Sequence, residues 1–359
     1  MSASGQTQSS GATAVAFRFP LPRCYHLASV DYRNAAGRTR PTMTLPTDSQ
    51  ADGLWALTTY FNPMRFRRRL SNFKTFRERL NAPLVAVELA YDSDFQLQEQ
   101  DAEILIRLRG GAVLWQKERL LNLALQALPR QCRKVAWLDC DVIFGAADWA
   151  ESASGLLDRF ALAQIFKRVH YLSPHWTSAK DCTTEAEFTR PSAAFSISCG
   201  APAATCIGHS LDIREGTSAS GFAWAARREL LDKHGFFDSC ILGGGDRAMA
   251  CAANHCFDEL MKRHYMNKRQ QDRYIAWAKP FYETVRAEVG YLEGDIFHLW
   301  HGDVRERRTR SRHEGLQRFQ FDPFTDIAID TNGCWRWNTE KQEMHDYIRG
   351  YFSSRREDG

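Results

Sequence analysis

The 359-residue chain contains no apolar run approaching the roughly 18 residues of a membrane-spanning helix, so no helical span is expected. Its opening stretch, MSASGQTQSSGATA, lacks a basic start and an apolar segment. No export signal is therefore expected, and the small polar residues predict a disordered tail. No Cys-x-x-Cys pair occurs among the ten cysteines. In a long chain without an export signal they are expected as buried free thiols rather than disulfides. CAANHC (251–256) holds two cysteines and His255, but no second ligand pair sits at zinc spacing, which argues against structural zinc. There is no internal repeat, which excludes a solenoid. A large excess of charge of one sign is also lacking. Lys and Arg number 47 against 43 Asp and Glu, a net charge of +4. That balance suits a small anionic substrate or peripheral contact with a membrane surface, and it calls for no nucleic-acid partner.

What is present is an alternation of strand and helix patterns. GLWALTTYF (53–61) is β-rich and ends at Asn62-Pro63, a turn signal. MRFRRRLSNFKTFRERL (64–80) carries Phe66, Leu70, Phe73 and Leu80 near helical spacing with arginines between, which predicts an amphipathic surface helix. PLVAVELAY (83–91) and AEILIRLRGG (102–111) are the next strands. LWQKERLLNLALQAL (114–128) is a helix stopped by Pro129, and KVAWLDCDVIF (134–144) is a fourth strand. Continuous apolar strands alternating with helices predict an α/β fold with a mostly parallel sheet flanked by helices. Beyond it, 156–172 reads as helix running into strand and 192–220 as loop. GFAWAARRELLDKHG reads as a strand turning into a helix capped by Gly235, and GDIFHLWHGD as a short strand. The expected organisation is an irregular segment 1–50, one domain over 51–304 and a helical and aromatic extension over 305–359.

Three groups carry candidate chemistry. Asp139 and Asp141 interrupt an apolar strand, and an unpaired buried carboxylate is costly. Ligands in open parallel sheets bind beyond the carboxyl ends of the strands. There, two converging acids call for a cation, and a divalent ion answers that need while bridging a diphosphate. The alternative is that one acid caps a turn and the other pairs with an arginine. His298 and His301 in HLWHG are three apart, so a turn places both imidazoles on one ion, or they pack around Trp300 in an aromatic core. Imidazole with carboxylate suits Mn2+ better than an all-oxygen Mg2+ site. In LGGGD the glycines admit a close backbone approach, and Asp246 is either a helix cap or a general base.

Taken in order, LTTYFNP, VELAY, WQKERLLNLAL, VAWLDCDVIF, GFAWAARRELL, GFFDSCILGGGD and FHLWHG resemble a GT-A-type glycosyltransferase, close to the family 2 and galactosyltransferase-like groups. HLWH is similar to the Met-x-x-His metal segment of the lactose-synthase type, with His298 in the methionine place. GGGD is similar to its Gly-Gly-Glu-Asp motif, with Asp246 as the only acid. The ending YFSSRREDG also resembles uncharacterised bacterial members.

The resemblance implies a Rossmann-like GT-A fold. It also implies an Mn2+- or Mg2+-dependent hexosyltransferase acting on a nucleotide sugar, UDP-linked, in glycan or polysaccharide synthesis. Asp141, His298 and His301 would hold the metal and Asp139 would contact donor sugar or ribose. Thr59, Tyr60 and Glu88 would line the uridine, with Arg119 and Asn122 reaching phosphate or base. Lys117 on the same helix would reach phosphate or base as well, or stand as a solvated helix position, the commoner place for a lysine. Asp246 would take the proton of a hydroxyl acceptor on a glycan or lipid-linked molecule, favouring inversion. Gly244, Gly245, Trp224 and Trp300 would meet acceptor or sugar, although tryptophan more often packs cores. Arginines in RERRTRSRH (305–313) form a solvated helix, clamp the diphosphate or meet anionic lipid. The expected location is cytoplasmic, with contact at the inner face of a membrane left open. Two other classes remain. A nucleotidyltransferase would use the same acids, but TTYFNP lacks the glycine-rich phosphate loop such enzymes place after the first strand. A catalytically inactive nucleotide- or glycan-binding relative is the other.

Overall fold

The computed structural model describes residues 53–92, 94–177, 182, 185–208 and 218–359; the tail predicted over 1–50 lies outside them. The chain runs β1 (Leu54–Phe61), α1 (Arg67–Arg79), β2 (Leu84–Ala90), β3 (Ile104–Arg109), α2 (Lys117–Gln126) and β4 (Lys134–Leu138). β5 (Val142–Phe144), α3 (Trp149–Leu156), β6 (Leu162–Gln164), β7 (Arg168–Leu172) and β8 (Ala186–Pro191) follow. Two short helices, α4 (Ala193–Ser198) and α5 (Ala203–Gly208), occupy a stretch expected as loop. Then come β9 (Ala223–Arg227), α6 (Arg228–His234), α7 (Gly245–Ala253), α8 (Phe257–Arg263), α9 (Lys268–Val285), β10 (Val289–Tyr291) and β11 (Asp295–His298). α10 (Ser311–Leu316), β12 (Ile327–Ile329), β13 (Trp335–Trp337) and α11 (Gln342–Ser354) complete it.

The larger sheet has the order β10-β6-β9-β4-β1-β2-β3. β1, β2, β3 and β4 are parallel, while β9 runs antiparallel between β4 and β6. Every residue of β1 and β2 is buried, as strands covered on both faces require. β1 and β4 end on the same side, at Phe61 and Leu138, which fixes where the acids emerge. The segment 134–144 is two strands rather than one. β4 belongs to the large sheet and β5 to a second sheet of order β5-β11-β7-β8. The chain turns at Cys140 and Asp141, so the extended pairing of the two acids on one face does not persist.

The described residues from Gly53 to Gly359 belong to one compact unit. The apolar cluster containing Trp55, Leu57 and Trp137 also takes in Leu316, Trp335, Ile348 and Phe352 from the 305–359 stretch. Phe352 stacks on Trp115 at 6.2 Å between ring centres and meets Phe61 edge-on at 6.3 Å. Aromatic pairs of this kind add to the burial itself. All described cysteines are free. Among the described residues no helix is long and apolar enough to cross a membrane. Phe352→Ala is expected to cost about 3–5 kcal/mol, the usual loss for a buried phenylalanine. Because its partners lie on β1 and before α2, urea unfolding should remain a single transition by both fluorescence and circular dichroism. Two transitions would show that residues 305–359 unfold on their own.

Candidate active site

Strand pairing assembles the first group. β5 begins one residue after Asp141 and pairs antiparallel with β11, which ends at His298. The Leu299 amide donates to the Asp141 carbonyl at 2.8 Å, so the chain carrying HLWH runs beside the Asp-x-Asp turn. Asp141, His298 and His301 converge, each offering one ligand atom within 4.8 Å of the others. Asp141 Oδ2 lies 3.0 Å from His301 Nε2, and Oδ1 lies 3.8 Å from His298 Nε2. The two Nε2 atoms are 3.2 Å apart. Both imidazoles are buried, at 3% and 6% exposure.

The donor set of one carboxylate and two imidazoles suits Mn2+ or a similar ion. Asp141 Oδ1, moreover, is buried without a hydrogen-bond partner, a lone pair that a cation would satisfy. These residues fit a divalent metal. Arg307, half-buried, points an amino group at the same spot, 3.0 Å from His301 Nε2 and 3.4 Å from His298 Nε2. Burial holds the His298 imidazole well below its usual pKa, Asp141 only partly opposing this, so it is neutral with a lone pair to give. Burial opposes ionisation of Asp141, but His301, His298 and Arg307 outweigh it and hold the carboxyl below the usual range.

The second group centres on Lys117, in the first turn of α2. Its ammonium donates to Asp139 Oδ1 at 2.5 Å and to Asp246 Oδ2 at 2.7 Å, linking the end of β4 to the start of α7. Lys117 is buried; burial works against its charge, but Asp139 and Asp246 raise its pKa well above normal. Asp139 is pushed up to about 6, chiefly by burial, with Lys117 opposing and Asp246 and Asp141 adding. The N-cap of α7 is Gly244, at φ 94°, so Asp246 is not the cap and its carboxylate is free to meet Lys117. Gly245 is required for space: a Cβ there would fall 2.1 Å from Glu118 Oε1.

The other expected contacts divide. Tyr60 and Glu88 sit toward the ends of β1 and β2, but their polar atoms are committed within the fold. The Tyr60 hydroxyl donates to Gln96 Oε1, and the Glu88 carboxylate accepts from the Gln96 and Leu97 amides. Thr59 is buried on β1. Arg119 and Asn122 face away from the acids. Arg119 pairs with Asp238 at 3.1 Å and Asn122 holds the backbone of Phe236, so both brace the 236–238 loop. Lys117, expected at the donor or in solvent, is instead buried between Asp139 and Asp246, because the first turn of α2 faces the strand ends while its later turns face the loop. Trp224 is 1% exposed and stacked on Trp137 in the core, which leaves no face for a sugar. Trp300 is half-buried under the Arg68 guanidinium, 5.3 Å from the ring centre. Glu118 and Glu357 were not singled out from the sequence, and Arg307 only as one of the arginines of 305–313. Their signal was faint: an acid in a helix's first turn, one arginine in a charged run and one acid beside two arginines.

No family model and no curated protein matches the chain. Among solved structures it is similar to glucosyl-3-phosphoglycerate synthase from Mycobacterium tuberculosis in complex with Mn2+, uridine diphosphate and phosphoglyceric acid. That likeness is 13% identity over 75% of this chain and 76% of that one, at TM-score 0.38. It is also similar to S. aureus TarS 1–349 in complex with UDP-GlcNAc, at 11% identity and TM-score 0.32. Coverage there is 56% of this chain and about half, 54%, of that one. A third is 4-diphosphocytidyl-2C-methyl-D-erythritol synthase from Anaerococcus prevotii, at 10% identity over 69% and 90% and TM-score 0.28. At these scores the likenesses assign no chemistry.

Glu118 yields a pH prediction. Its carboxyl is pushed up to about 8 by burial first, Lys117 opposing and Asp246 and Asp139 adding. Between the ordinary value of 4.5 and about 8, the folded chain holds a proton that the unfolded chain has released. Its contribution to stability therefore falls as pH rises through that window. Glu118→Gln is neutral throughout, so its melting temperature relative to wild type should climb between pH 5 and pH 8. A pH-independent difference would refute the assignment.

Proposed function

We propose that the chain is a metal-dependent GT-A-type glycosyltransferase, moving a sugar from a UDP-linked donor to a hydroxyl acceptor with inversion. The observation that supports this reading best is the convergence of Asp141, His298 and His301 on one point at the end of β4, one residue from the Asp139–Lys117–Asp246 chain. In this reading residues 51–304 carry the catalytic unit and residues 305–359 complete it through Arg307.

Breaking the bond to the anomeric carbon leaves negative charge on the departing diphosphate; Asp141, His298 and His301 would hold a divalent ion, which would supply Lewis-acid stabilisation of that charge. Arg307, beside both imidazoles, is placed to donate to the same oxygens. Asp139 contacts the donor sugar or ribose. Lys117 keeps Asp139 and Asp246 from repelling each other and holds each carboxylate in one direction. Asp246 accepts the acceptor's hydroxyl proton as the oxygen attacks. The buried walls around His298, formed by the Tyr171 and Phe222 rings at 5.1 Å, exclude water from the metal side.

The test is calorimetric titration of UDP with Mn2+ and then with EDTA. Binding should require the metal, and Asp141→Ala should lose the metal-dependent part while keeping its fold. Equal affinity in both conditions would refute the metal-bridged reading. With a working donor and acceptor, Asp246→Asn should keep UDP binding while transfer falls by about 10²–10⁴, the usual contribution of a general base. Near wild-type transfer would remove Asp246 from the chemistry. Pyrophosphate release from a nucleoside triphosphate and a sugar phosphate would instead identify a nucleotidyltransferase.

A further inference from the structure

The segment Arg355 to Gly359 closes over the back of the metal cluster. Glu357 is fully buried, with Oε1 3.7 Å from His301 Nδ1, on the far side of the ring from Asp141. Its carboxylate is held by the Arg355 guanidinium on Oε1 and by Arg69 Nε at 3.4 Å from Oε2. His301 Nδ1 and Glu357 Oε2 are both buried without a hydrogen-bond partner. The backbone is fitted for this contact. Gly302, next to His301, has φ 84°, and a Cβ there would fall 2.6 Å from the Arg355 carbonyl and 3.2 Å from Glu357 Cα. Any side chain at 302 would therefore push residues 355–357 off the histidine. The segment is tied down beyond Glu357 as well, since the amides of Arg67 and Arg68 at the start of α1 donate to the Asp358 carboxylate at 3.1 and 2.7 Å.

We propose that Glu357 is a positioning residue of the metal centre. Its carboxylate, 3.7 Å from His301 Nδ1, faces that nitrogen as an acceptor and keeps the ring proton on Nδ1, which leaves the Nε2 lone pair free to face an ion beside Asp141. In the present geometry Nε2 meets an acceptor, Asp141, and a donor, Arg307, each at 3.0 Å. One ring nitrogen cannot serve both, and a proton fixed on Nδ1 settles the matter in favour of the lone pair. Carboxylates behind ligating histidines orient the ring and raise its basicity, and their loss typically weakens metal binding by about 10–100-fold. The inference rests on the metal-centre reading given above.

Mn2+ is titrated into wild type and Glu357→Gln, with and without UDP, following free Mn2+ by electron paramagnetic resonance. The expected result is binding to wild type and a dissociation constant about 10–100-fold higher in the variant. Binding equal to wild type in a folded Glu357→Gln overturns the role of Glu357 and leaves the metal centre standing. No binding to wild type in either condition overturns the metal centre itself, and this proposal with it. Should the variant fail to fold, the ring nitrogens of metal-free wild type at about pH 8 decide. Long-range nitrogen–proton correlation, with His301 assigned by its loss in His301→Gln, should show a protonated Nδ1. A bare Nδ1 overturns the proposal regardless of the variant's stability.

Discussion

A carboxylate taken out of water persists only beside a cation or a set of donors, and the interior of this chain is organised around that constraint. The decisive contact is Lys117 between Asp139 and Asp246. Without it, two acids brought to the same cleft from β4 and α7 would repel, and burial would protonate one of them. With it, the two elements are joined by an ion pair at the carboxyl edge of the parallel strands. Lys117 can do this because α2 starts beneath that edge, so its first turn faces the acids. Asp141, one turn further on, is satisfied by a different set of partners, His298, His301 and Arg307.

The same constraint explains why the second sheet exists beside the first. Had residues 134–144 continued as one strand, Asp139 and Asp141 would have shared one face and one set of partners. The turn at Cys140 separates them, and β5 carries the chain away to pair with β11. That pairing is what delivers two histidines to a carboxylate far away in sequence. The glycines complete the fit. Gly245 admits Glu118 and Gly302 admits the backbone of residues 355–357 at distances no side chain would tolerate.

The large sheet was legible because β1, β2 and β4 are continuous apolar runs, and the helices because their apolar positions recur at helical spacing. Residue types and the three-residue spacing of the histidines pointed to two separate candidates for holding an ion, and it was the resemblance to GT-A enzymes that joined Asp141 with His298 and His301, which the structure brings together. The break inside VAWLDCDVIF was not, since its composition is strand-like throughout and only tertiary pairing splits it. Lys117 was unreadable for a related reason. A lysine among leucines on a helix normally marks the solvent side, and only the position of α2 relative to the strand ends reverses that expectation. Trp224 misleads in the opposite direction, because its sequence neighbours do not reveal that Trp137 on the adjacent strand covers its face. Glu357 depends on contacts with the distant Arg69 and His301, which no local pattern encodes, whereas Arg307 lies only six and nine residues from the histidines it meets.

The two groups also divide charge in a way that bears on the proposed reaction. Around Asp141 and the two histidines, the guanidinium groups of Arg69, Arg307 and Arg355 face the carboxylates of Asp141 and Glu357, leaving positive charge in excess. Around Lys117, a single ammonium faces Asp139 and Asp246, leaving negative charge in excess. In the proposed reaction an anionic diphosphate would be drawn to the first group and a proton to the second. The fold keeps these opposite demands one residue apart, at Cys140, by sending Asp139 and Asp141 to different partners. In a cleft with a low effective dielectric, such fixed charges act strongly and need no rearrangement as the reaction proceeds. Under the proposed reading, a bare cation entering the first group would meet Arg307 already there, so metal and diphosphate would be better accommodated together than the metal alone. Arg307 would then couple the two ligands, because the charge that resists an ion by itself would become a contact for the phosphate oxygens once both are present.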